Sequence, residues 1–248
     1  GVIVAASVAG LIAQHISWSA VFYFLALLTL IPIPFLFFIH ELERAPEMRF
    51  NWKAFGAFKD RKVLAVAGVG LIVFMVIVGS NQIVNPSFDA RIGIDLSTAG
   101  LITTVWGIGC VAGAMVGGRV MDRLGNRSAL RLSILLVLPA MVLLALTASR
   151  PMMWLVTVFF GIAYGLSQAV YFALAMKYTQ PAIAASMYSI LMAVTNIGQG
   201  IGLGLSGGLA NSAGYPVTFL VFGALLLLVL PFFPILFGKR PSSSREAR

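Results

Sequence analysis

The chain has 248 residues, of which 60% are hydrophobic and only 10% charged, and its net charge is +9. Soluble domains carry about 25% charged residues, so this composition argues against a soluble protein and for segments that cross roughly 30 Å of hydrocarbon. The lone Cys110 rules out an internal disulfide.

Residues 1–13 are apolar but reach only about 20 Å as a helix, so they read as the second half of a helix that begins before Gly1. Complete spans are expected at 18–39, 63–84, 99–117, 132–149, 152–176, 182–205 and 217–237. Pro151, Pro181 and Pro216 stand where helices begin, at positions that need no N–H. Pro139 falls inside a span and predicts a kink.

Lysine and arginine are sorted between alternate loops. Fifteen of them lie in 40–62, in 118–131, at Lys177 and after 238, whereas the other loops hold only Arg91 and Arg150. This is a positive-inside pattern, and it predicts a cytoplasmic linker at 40–62 and a cytoplasmic tail at 238–248. The positive charge therefore reports topology, and no nucleic-acid partner is expected.

The first 39 residues also resemble a later stretch when shifted by 197. Gly10 meets Gly207, Ala13 meets Ala210, Gln14 meets Asn211, Trp18 meets Tyr215, Phe22 meets Phe219 and Pro34 meets Pro231, without a gap. Parallel repeats of this kind build many transporters. On that reading 1–39 ends one repeat and 63–237 forms the next.

Between two apolar runs lies the basic turn Gly118-x3-Asp122-Arg123-x-Gly125-x-Arg127. It resembles the signature loop of the major facilitator superfamily, in the copy between helices 8 and 9, and departs from it at Ser128, where a second basic residue is usual. The glycine-spaced opening followed by Ser17-Trp18 and Phe22 is similar to that family's helix 5 to helix 6 corner, and 40–62 to its central cytoplasmic linker. The resemblance implies an all-α membrane protein with part of a first six-helix half and a complete second half. It implies a secondary transporter in a bacterial inner membrane, a monomer when full length, with a small-molecule substrate, a coupling H+ or Na+, and no cofactor. Within 186–219, Met192, Asn196-Ile197-Gly198 and Gly214-Tyr215 look like the branch carrying acetyl-CoA and muropeptides, an alternative substrate class.

In the family the signature loop latches the two halves together, so Gly118, Asp122, Arg123, Gly125 and Arg127 are expected to act in conformational switching. Gly118 would admit a close helix approach, and Asp122 would face the positive end of a neighbouring helix dipole. The bland alternative is a solvated turn that anchors topology.

All eight acids fall in loops or at helix ends, so this stretch offers no intramembrane carboxylate for a proton relay. The expected cavity is neutral and polar: Asn81 and Gln82, Trp106, the face formed by Tyr164, Gln168 and Tyr171 at i, i+4 and i+7, and Asn196 with Gln199. Ordinary interhelical hydrogen bonding is the competing account of each residue alone. Gly109, Gly113 and Gly117, Gly161 and Gly165, and Gly200 and Gly204 are spaced for helix packing.

Two other functions are weighed. Gly204-Leu205-Ser206-Gly207 looks like the serine motif of rhomboid-type proteases, but that chemistry needs a histidine base in the membrane. His15 and His40 both sit at span boundaries, and no metal cluster, phosphate loop or acid pair appears, so no enzyme is expected. A non-transporting membrane scaffold or receptor is the remaining alternative.

Overall fold

The computed structural model describes residues 2–37, 52 and 54–238; the linker up to Asn51 and the tail after Gly238 lie outside the described residues. Every element among the described residues is helical. The α-helices are α1 (Val2–His15), α2 (Trp18–Leu30), α3 (Ile33–Leu36), α4 (Ala54–Ala57), α5 (Arg61–Ile92), α6 (Leu96–Leu146), α7 (Arg150–Lys177), α8 (Ala184–Ala213), α9 (Tyr215–Leu226) and α10 (Phe232–Phe237). Loop residues with short polar side chains start three of them. Ala20 N donates to Ser17 Oγ at 3.2 Å, Lys62 N to Asp60 Oδ1 at 2.8 Å, and Thr98 N to Asp95 Oδ1 at 3.0 Å, each satisfying an orphan donor of a first turn.

Among the described residues, five helical segments are long and apolar enough to cross a membrane: Arg61–Ile92, Leu96–Leu146, Arg150–Lys177, Pro181–Ala213 and Tyr215–Phe237. The turn expected within 118–131 is present but narrow: helix runs up to it and on from it, and the two arms of α6 are separated only at Gly125, whose φ of 74° and ψ of 166° lie outside helical geometry. Those backbone angles strain any residue with a Cβ whatever the space around it, so glycine is the residue that permits the break. At Gly125 the chain doubles back. The Arg91 guanidinium, just before α6 begins, donates from Nη1 to Leu144 O at 3.1 Å and from Nη2 to Ala145 O at 3.0 Å. The last turn of α6 thus lies beside its first, and each arm alone has the length of a crossing. Pro139 keeps helical backbone angles, so the break falls at Gly125 rather than there.

Two other spans depart from expectation. The segment 18–39 is divided: α2 ends at Leu30 and the four-residue α3 follows. Pro32 and Pro34 supply no N–H to extend the ladder. The span expected to end at 84 runs to Ile92 with Pro86 inside it.

The first arm of α6 and α7 run parallel, backbone on backbone. A Cβ on Gly109 would meet Val158 O, one on Gly113 would meet Ile162 O, and one on Gly165 would meet Cys110 O. Helix α5 forms a similar seam with α8, through Gly198 against Leu71 O and Gly202 against Met75 O. Gly200 and Gly204, expected to pack, meet nothing within 4 Å among the described residues, because the α5-facing stripe lies two residues away at Gly198 and Gly202. Helix α5 is the centre of the bundle, with Val66, Val69, Val76, Ile77 and Phe88 fully buried.

Two element starts and two element breaks fall in step under the 197 shift. Helix α2 begins at Trp18 and α9 at Tyr215, residues that the 197 shift superposes, and both rods are interrupted about a dozen residues on, at Ile31 and Leu227. Charge sorting is also spatial. Ala57 and Val63 pack with Met187, Tyr178 OH donates to Leu236 O at 3.1 Å, and Arg131 lies 6.0 Å from the Phe233 ring. These contacts gather the basic segments around Arg61, Arg131 and Lys177 at one end. Arg91 and Arg150 mark the other, where Arg150 Nη2 donates to Gly93 O at 3.2 Å.

Candidate functional site

Asn81 and Asn85 are one turn apart on α5 and face Thr103 and Trp106 of α6 across a cleft of about 370 Å³. That volume falls within the range of small-molecule sites, about 300–1,000 Å³. Gln82 and Pro86 complete the α5 wall. Pro86 cannot donate the helical bond to the Gln82 carbonyl, which leaves an acceptor on that wall. Every polar side chain lining the cleft is uncharged.

Asn85 ties the two helices. Its Nδ2 donates to Thr103 Oγ1 at 3.1 Å and to Ala99 O at 3.4 Å, while the Thr103 hydroxyl donates to Ala99 O at 3.1 Å. Asn85 Oδ1 and Trp106 Nε1 are buried without a hydrogen-bond partner among the described residues. The Trp106 ring meets Tyr164 edge to face at 5.0 Å, and Tyr164 in turn meets Phe160 at 6.0 Å, so α7 supports the indole from behind.

Asn85 also lines two adjoining clefts. One, of about 230 Å³, runs between α1 and α6 past Gly10, Ala13, Trp18 and Gly100. The other, of about 600 Å³, is bordered by Gln14, Asp89 and Asp95. Here α1 docks on α6: a Cβ on Gly10 would lie 2.8 Å from Leu96 O and 3.2 Å from Gly100 Cα. Gln14 Oε1 accepts from Ser97 N at 2.8 Å and from the Ser97 hydroxyl. The Thr98 side chain, then the Thr98 N–H, then Gln14 hold the Asp95 carboxyl below its ordinary value.

Of the residues expected in the cavity, Asn81, Gln82 and Trp106 come together in the cleft, with Tyr164 behind Trp106. Tyr171 lies elsewhere. It is 1% exposed, edge-on to Phe74 at 5.3 Å, with its hydroxyl where a Cβ of Gly70 would be. Gln168 is half-buried on α7 and does not line the cleft. Gln199 Nε2 donates to Asn196 Oδ1 at 3.0 Å, and this pair sits apart on α8. Asn85 and Thr103 were not expected. The signal was the Asn81-x3-Asn85 spacing, hidden because the span was expected to end at 84.

Of the latch residues, Gly118, Asp122, Arg123 and Arg127 are exposed and Gly125 is half-buried at the break. Gly118 meets nothing within 4 Å among the described residues. The close approach expected of it is made one position earlier, where a Cβ on Gly117 would lie 3.1 Å from Leu166 O and from Ala169 Cβ.

A family model described as the Major Facilitator Superfamily matches residues 70–248. A search of curated proteins finds no match. Among solved structures, the chain is similar to a bacterial homologue of the human lysosomal transporter Spinster, in an inward-facing and unoccupied conformation. The TM-score is 0.59 at 15% identity, over 78% of this chain and 51% of that one, so the chain spans about half the length of that transporter.

Proposed function

The chain belongs to the Major Facilitator Superfamily, and from that membership we propose that it is the C-terminal part of a secondary active transporter that moves a small, neutral or weakly polar solute by alternating access. In this reading residues 1–39 close the first half, 40–62 link the halves on the cytoplasmic side, and 63–237 form the second half. The solute enters between the halves and meets the cleft on α5 and α6.

The observation that carries the reading is the cleft's chemistry. Two asparagines, a glutamine, a threonine and an indole converge on a space of small-molecule size. A charged solute would go unneutralised there, whereas amides and hydroxyls match an uncharged polar one. A coupling H+ or Na+ would bind elsewhere, because the cleft offers no carboxylate. Gly118, Asp122, Arg123, Gly125 and Arg127 would work at the far end, as the latch between halves, with the cationic end of the bundle facing the cytoplasm of a bacterial cell.

The test is solute flux by the full-length protein in proteoliposomes, screened against a panel of neutral polar solutes and compared with Asn81→Ala and Trp106→Ala. Flux should fall in both variants while membrane insertion is retained. Flux equal to the parent in both would favour a scaffold or receptor. Thiol tagging near Trp52 and in the tail checks the topology, since labels on opposite faces would overturn it.

A further inference from the structure

We propose that Asn85 is a positioning residue that couples the solute cleft to the α1–α6 seam through its bond to Thr103. The inference rests on the transporter reading above. Asn85 is the one residue that lines all three clefts described above. On one side it belongs to the wall with Asn81 and Trp106. On the other, its amide holds Ala99 and Thr103, one turn of α6, and that turn adjoins the Leu96–Gly100 surface on which Gly10 of α1 rests.

The seam is where an element of the first half meets the second. It consists of one close glycine approach and the Gln14–Ser97 hydrogen bonds. Opening it requires α6 to part from α1 near Leu96–Gly100. Asn85 stabilises the closed arrangement because it fixes that turn of α6 to α5. The fixation is incomplete: Asn85 Oδ1 is buried with no partner, a cost that the closed seam retains. A solute that brings an acceptor competes with Thr103 Oγ1 for the Asn85 Nδ2–H, while its own hydroxyl or amide N–H gains the free Oδ1, and the amide's hold on Thr103 loosens. Occupancy of the cleft and closure of the seam are thereby linked through one side chain.

The experiment needs no identified solute. In the full-length protein, Cys110→Ala, with any cysteine outside these residues replaced likewise, clears the background, and Ala9→Cys places a reporter on the α1 side of the seam, where Ala9 lines the cleft beside Gly100. The rate of labelling by a membrane-impermeant maleimide reads how often the seam opens. Thr103→Val keeps the shape and loses the hydroxyl that accepts from Asn85, whereas Thr103→Ser keeps the hydroxyl and loses the methyl. Thr103→Val and Asn85→Ala should each raise labelling roughly two- to tenfold, the factor carried by one net hydrogen bond. The double variant should match either single, and Thr103→Ser should match the parent. Unchanged labelling in Thr103→Val overturns the proposal, as does an equal rise in Thr103→Ser or multiplication of the two effects in the double variant. Should Asn85→Ala fail to fold, the two Thr103 variants decide alone. Labelling does not depend on flux, so failure here is distinct from failure of the transport reading, which the Trp106→Ala flux measurement tests.

Discussion

Gly165 of α7 rests against the backbone carbonyl of Cys110 in α6, with no room for a side chain between them. Gly161 makes the equivalent contact with Trp106 O one turn earlier. Lipid supplies no hydrophobic drive for two helices to associate, so contacts this close, made by van der Waals packing, hold them together. Gly165→Leu is therefore expected to destabilise by about 1–3 kcal/mol through overpacking. Gly204→Leu, on an open face, should be near neutral. Melting temperatures in detergent compare the two, and equal losses would contradict the assigned seam.

Arg91 closes the other end of the same helix. Its two bonds satisfy carbonyls in the last turn of α6, where no intrahelical donor follows. Arg91→Gln should cost about 1–2 kcal/mol. Arg91→Lys should recover only part of that loss, because a single ammonium cannot reproduce the two-pronged donation. Thermal unfolding measures both.

Tyr171 has a buried hydroxyl without a partner among the described residues. Removing an unpaired polar atom from an apolar site leaves the ring packing with Phe74 and Phe172 intact. Tyr171→Phe is expected to be neutral or to stabilise by up to about 1 kcal/mol, with flux unchanged. A marked loss of flux would place the hydroxyl in the solute path after all.

Asp95 gives the α1–α6 corner a pH dependence. Its carboxyl titrates below the ordinary 3.8 because Thr98 and Gln14 bond the ionised form. A folded-state value below the unfolded one stabilises above the unfolded value, and the contribution fades as the pH falls through the folded one. The Ala9→Cys labelling rate, divided by that of a fully exposed reference thiol at the same pH to remove the thiolate fraction, should therefore be flat above about pH 5 and rise only in more acidic solution. In Asp95→Asn that acid-dependent rise should disappear.

Asp122→Asn in the full-length transporter should slow flux roughly two- to fivefold while leaving insertion intact, the factor carried by a charge–dipole contact of about 0.3–1 kcal/mol. Collapse of expression would instead assign Asp122 to folding.

Much of this fold is legible in the chain. Runs of apolar residues mark the long helices, and the sorting of arginine marks the two ends of the bundle, because both follow from the solvent each segment meets. The stretch 118–131 misleads because charge is read as loop, yet charged residues sit comfortably on a helix that has left the hydrocarbon, and one glycine suffices to reverse the chain. The site is half legible. Asn81, Gln82 and Trp106 declare themselves as polar or amphipathic groups in apolar runs, but Tyr171 follows the same logic and turns out to be packed against Gly70. Spacing identifies a face; which neighbour covers that face depends on the rotation of each helix, and a 3.6-residue period leaves that undetermined. The choice between Gly198/Gly202 and Gly200/Gly204 is the same ambiguity.

The glycine seams also govern how the bundle is able to deform. Where main chain lies on main chain there are no rotamers to reset, so α6 cannot slip past α7, nor α5 past α8, without losing contact along the whole line. Each pair behaves as a stiff plank. Compliance is left to joints made of side chains, which yield by re-aiming a single amide.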